Sequence, residues 1–74
     1  MTIRVFVNAT PVDVAPGANA LDCVRAFRPD EADAVASGQR VITDSRGLTI
    51  ASESRAQAGS IYRTVSNRAA SRNE

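Results

Sequence analysis

The chain has no histidine, no tryptophan and no lysine, a single cysteine and three aromatic residues, and each shortage removes a class of function. Without histidine there is no imidazole base, no Cys–His pair and no ordinary zinc site. Cys23, alone, cannot close an intramolecular disulfide or assemble a thiolate cluster. Phe6, Phe27 and Tyr62 are too few to form a platform on which successive bases stack. No apolar run approaches the ~20 residues that span a bilayer. The opening MTIRVFV lacks both the charged and the long apolar regions of a secretory leader. These shortages predict a soluble, cytoplasmic chain with no membrane partner.

Every one of the nine basic residues is arginine, set against eight acidic residues for a net charge of +1. No whole-molecule field therefore favours nucleic acid or an anionic membrane. The missing lysine also prevents the chain from being linked to copies of itself through lysine side chains. At 74 residues the chain is one domain that buries roughly 60% of its unfolded surface. Its core must be built from Val, Ile, Leu and Ala.

What is present is strong local patterning. Ile3, Val5 and Val7 alternate with Arg4 and Phe6, the period of a strand with one buried face. Asn8-Ala9-Thr10-Pro11 supplies a turn, and Val12 and Val14 resume the alternation around Asp13, so the first two strands read as a hairpin. Pro16-Gly17 ends it. Asn19 is placed to cap a helix, with Asp22 three positions later to complete a capping box. Ala20, Cys23, Val24 and Phe27, with Leu21 beside them, form the helix's apolar stripe. Arg28-Pro29 stops it, and Asp30 is placed to cap a second, shorter helical stretch that ends at Gly38. Val41-Ile42 and Leu48-Thr49-Ile50 read as strands around an Asp44-Ser45-Arg46-Gly47 turn. After a polar loop, Ile61 to Val65 forms the last strand. From Asn67 the sequence NRAASRNE holds no apolar residue larger than Ala, which predicts a flexible tail over 67–74 after a single domain over 1–66.

The order β-β-α-(α)-β-β-β, with PGANALD opening the main helix, resembles the ThiS/MoaD-like sulfur-carrier branch of the β-grasp, or ubiquitin-like, class. The TGS domains of some synthetases and GTPases resemble the same stretch. The resemblance covers roughly residues 3 to 66 and implies that the domain over 1–66 is a β-grasp domain. It implies an α+β fold in which a mixed four- to five-stranded sheet carries one main helix packed across it, with the first and last strands parallel neighbours. In sulfur carriers the chemistry lives on a C-terminal Gly-Gly, whose small backbone threads the channel of an activating enzyme. Here no glycine follows Gly59, Ala69-Ala70 is the nearest small pair, and Ser60 follows Gly59 where the family has Asp.

These departures predict a non-catalytic protein-interaction module or adaptor related to the carriers. A degenerate or processed sulfur carrier and a TGS-like RNA-binding module are the alternatives. No catalytic, cofactor-binding or metal-ligating residue is assigned. Cys23 lies on the buried stripe and reads as an inert thiol. Asp30, Glu31 and Asp33 read as a solvated helix start. The candidate partner surface is Arg4, Phe6, Tyr62, Arg63 and Arg68, on the sheet face away from the helix and at the basic C-terminal end. Phe6 singles itself out because it falls outside the Ile3/Val5/Val7 register. A protein partner or a homo-oligomer is expected, with nucleic acid ranked below protein.

Overall fold

The structure is a computed structural model that describes residues 1–67. It is an α+β fold: a five-stranded mixed sheet with two helices. Along the chain come β1 (Ile3–Val7), β2 (Thr10–Val14), α1 (Ala20–Phe27), α2 (Pro29–Ala36), β3 (Arg40–Thr43), β4 (Thr49–Ile50) and β5 (Ile61–Ser66). The strands lie in the order β2-β1-β5-β3-β4. Every neighbouring pair is antiparallel except β1 and β5, which run parallel at the centre.

The β1–β2 turn is tighter than the sequence predicts. Only Asn8 and Ala9 form it, with φ of 52° and 69°, so Thr10 and Pro11 already belong to β2. Two successive left-handed residues are what a type I′ hairpin requires, because their twist matches that of the flanking strands. Asn tolerates this backbone. Ala9 adopts it against a cost of roughly 1–2 kcal/mol.

The α1 start is as the sequence predicts. Asn19 Oδ1 accepts from Asp22 N at 2.8 Å, and Asp22 Oδ2 accepts from Asn19 N at 3.2 Å. The α2 start differs: the helix begins at Pro29, one residue before the expected cap, and Arg28 at the cap position supplies no side-chain bond. Pro29 explains this, since its fixed φ suits the first helical position and it has no N–H to satisfy. The helix is as long as α1 and closes as a Schellman motif, with Gly38 at φ 87° and bonds from Gly38 N to Val35 O and from Gln39 N to Ala34 O.

Both helices pack on one face of the sheet. Val5, Val7, Val14, Ile42 and Tyr62 project from the strands to meet Ala20, Cys23, Val24 and Ala32, and all of these are buried. The loop over 51–60 is tied down by its backbone: Ala20 N and Leu21 N donate to Ser54 O and Ser52 O, and Ala56 N donates to Ala18 O. Ala56 joins the core through those bonds. The other face of the sheet is covered by no helix or strand among the described residues.

Candidate functional site

The pairing register decides which side chains stand on that open face. In the parallel ladder Phe6 lies beside Ile61 and Val7 beside Tyr62, while on the hairpin side Arg4 lies opposite Asp13. Side chains alternate with a period of two, so Arg4, Phe6, Asp13, Ile61, Arg63 and Val65 share the open face. Across β3, Val41 joins them opposite Val65. Ile61 is 46% exposed and Val65 41%, while Phe6 and Val41 are half-buried. Phe6 with Ile61 and Val65 with Val41 thus form two apolar pairs, with Arg63 between them on β5 and Arg4 beyond Phe6 on β1.

The two arginines differ. Arg4 Nε lies 3.1 Å from Asp13 Oδ1, a cross-strand pair in which both side chains are at least half exposed. Arg63 is exposed and has no hydrogen-bond or ion-pair partner among the described residues. Beside it, Asn8, Ala9 and Ile61 complete the lining of a shallow depression of about 360 Å³.

One residue of the expected surface lies elsewhere. Tyr62 is not on the open face; it is 4% exposed, in the core between sheet and helices. The reason is register: β5 begins at Ile61 in step with Phe6, which turns Tyr62 inward with Val7. Burial pushes the Tyr62 phenol pKa up, opposed in part by a hydrogen bond with the Ser60 side chain. Arg4, Phe6 and Arg63 share one face as expected, and Arg68 lies outside the described residues. Ile61 and Val65 are the residues that sequence reading missed. Their signal was Arg63, which must face solvent and carries its i±2 neighbours with it.

The sheet's edges are poorly suited to binding. Phe6 N donates to Ser60 O and Asn8 N to Tyr62 O, both at 2.9 Å, so the backbone of Val5 and Val7 faces β2. Their partners Val12 and Thr10 bond inward, and Pro11 and Asp13 turn their nitrogens to the free edge. Pro11 has no N–H to offer and Asp13 carries a charge, two devices that block addition of a further strand. At the opposite edge β4 is two residues long.

Elsewhere the polar groups are engaged in structure. Thr64, almost buried, gathers three elements: Asn8 Nδ2 donates to its Oγ1 at 3.0 Å, its N donates to Asn8 Oδ1 at 3.1 Å, and its Oγ1 donates to Glu31 Oε1 at 3.0 Å. Arg40 Nε lies 3.5 Å from the same Glu31 oxygen. Glu31 is therefore not part of a solvated acidic start, as the sequence suggests, but a strut between α2 and the sheet. No group of three or more potential metal ligands occurs among the described residues. Cys23 is wholly buried, and its thiol pKa is raised first by burial and then by the Asp22 charge, so it is held as the unreactive thiol. A second depression, about 370 Å³, has Arg55 and Asp44 in its lining, charges of opposite sign that give it no net preference for an anion.

No helix among the described residues is long and apolar enough to cross a membrane. Set against known protein families, curated protein sequences and solved structures, the chain shows no significant match in any of the three comparisons.

Proposed function

We propose that the chain is a β-grasp domain acting as a non-catalytic protein-interaction module, and that it binds through the open face of its sheet. The strand order β2-β1-β5-β3-β4, with a parallel centre and a helix crossing between hairpin and β3, supports the β-grasp assignment. The observation that carries the function is the exposed Ile61 and Val65 on either side of Arg63, which has no partner among the described residues. Apolar surface left beside an unused guanidinium is the composition of a binding patch, in which arginine is enriched and other charges are scarce. Both edges are blunted, so recognition falls to the face rather than to strand addition.

The RNA-binding alternative draws no comparable support. Of the described arginines, Arg4, Arg25, Arg40 and Arg46 already face carboxylates, and Arg28 stacks its guanidinium 5.6 Å from the Phe27 ring centroid. A phosphate-binding stripe needs such cations free and aligned. For the sulfur-carrier alternative, Ala69-Ala70 lies outside the described residues, and no observation favours it.

The test is differential capture. The wild-type chain and its Ile61→Asp and Arg63→Ala variants serve as baits in native lysate, and retained proteins are compared by mass spectrometry. A protein held by wild type and lost from both variants is the expected result. Identical captures from all three baits would overturn the reading.

A further inference from the structure

On the open face Asp13, paired with Arg4, and Arg63 stand evenly about Phe6. Asp13 lies one strand to one side of Phe6 and one same-face position back along β1, opposite Arg4. Arg63 lies one strand to the other side and one position forward, two residues beyond Ile61, which stands beside Phe6. Phe6 is therefore midway between a carboxylate and a guanidinium. Arg63 has no partner among the described residues, and Asp13, half exposed, accepts one bond at 3.1 Å and keeps lone-pair capacity for another.

We propose that the partner of this face is the same face of a second copy of the chain, related by a two-fold axis that lies between the two sheets and passes over Phe6. Asp13 of each copy then meets Arg63 of the other, and the Phe6 and Ile61 side chains of both copies close the centre. The inference rests on the reading of the open face as an interaction surface and names its occupant. A two-fold interface must be self-complementary, and the placement of Asp13 and Arg63 about Phe6 is, with Asp13 shared between Arg4 of its own copy and Arg63 of the other.

The geometry is consistent with how sheets pack. With strands ~4.8 Å apart and same-face residues ~6.7 Å apart, an axis perpendicular to the Asp13–Arg63 line crosses the two sets of strands at roughly 70°, near the orthogonal class of sheet packing. The two ion pairs fix the register and the Phe6 and Ile61 side chains of both copies supply the attraction. An apolar centre this small belongs with interfaces of under ~1,200 Å² in total, so pairing is concentration-dependent.

Sedimentation velocity over a concentration series of the full chain tests this. Wild type is expected to pass from monomer to dimer. Asp13→Arg sets arginine against arginine at both contacts and Arg63→Asp sets aspartate against aspartate, so each variant alone should associate at least about tenfold more weakly. Mixed in equal amounts the two variants should dimerise again, because both contacts of the mixed pair carry opposite charges. Each site is exposed, and a thermal melt of each variant verifies that it folds.

A wild-type dimer indifferent to both substitutions, or a variant mixture that stays monomeric, overturns self-pairing. A wild-type monomer at every concentration, with a captured protein lost on Ile61→Asp, overturns self-pairing alone. A wild-type monomer whose captures Ile61→Asp leaves unchanged overturns the interaction face as well.

Discussion

Asn8 and Ala9 show how much of this fold turns on two residues. Asn8 occupies the left-handed region and uses both ends of its amide on Thr64. It fixes the hairpin to β5 just past the point where the central parallel pairing ends. Asn8→Gly preserves the turn's backbone while deleting those bonds, and is expected to lower stability by ~1–2 kcal/mol in urea denaturation. Ala9→Gly relieves a left-handed alanine; set against the added freedom of the unfolded chain, a gain of ~0.5–1 kcal/mol is expected, read as a higher melting temperature. No Cβ-bearing residue at position 9 other than Asn or Asp should match it.

Cys23 and Tyr62 supply a second residue-scale expectation. Burial raises both pKa values in the folded chain, so folding favours the protonated thiol and phenol. Their contribution is complete below the unfolded values, about 8.5 for Cys and about 10 for Tyr, and is lost as pH rises through the higher folded ones. The urea midpoint should fall as pH climbs from about 8.5 upward, and a thiol reagent should modify Cys23 only as the chain unfolds. Stoichiometric labelling of the native protein at neutral pH would contradict its burial.

At the scale of elements, the two helices are held by different means. α1 carries a full capping box, and Asn19→Ala should cost ~1 kcal/mol by removing it, measurable in chemical denaturation. α2 has only Pro29 and its Schellman end, and is tied to the sheet through Glu31, Thr64 and Arg40. The strands and α1 were legible in the sequence because period-two and helical patterns of Val, Ile and Ala are local, as is Asn19 with Asp22. The exact hairpin turn was not, because Pro11 reads as a turn residue. It is admitted to β2 only because that strand is an edge, a fact of the sheet and not of the segment.

The open face was legible on β1, where Arg4 and Phe6 stand out against Ile3, Val5 and Val7. It was misread on β5, where hydrophobicity alone draws Ile61 and Val65 inward and leaves Tyr62 as the surface residue. Thr64 resolves the conflict. Its hydroxyl is consumed by Asn8 and Glu31 beneath the sheet, which places Tyr62 inside with it and Ile61, Arg63 and Val65 outside. That bond joins residues far apart in sequence, so no reading of a short window contains it.

For the whole molecule, the division is between a covered face that supplies stability and an open face that we propose supplies binding. Substitutions on the open face should therefore separate the two properties. Ile61→Asp is expected to change unfolding free energy by no more than ~0.5 kcal/mol, the range of ordinary surface substitutions, while abolishing association. Thr64→Val, on the covered face, should do the reverse. It leaves the Asn8 and Glu31 side chains without their shared hydroxyl, lowering stability by ~1–3 kcal/mol without altering the composition of the open face.

The most direct test of the open face is photo-crosslinking in native cells, with a benzophenone amino acid in place of Ile61 and, as a control, in place of Asp33 on the helical side. A discrete covalent adduct from position 61 that is absent from position 33, whether with a second copy of the chain or with another protein, is the predicted result. No adduct from position 61, or the same adducts from both positions, would contradict the claim that this chain binds through the open face of its sheet.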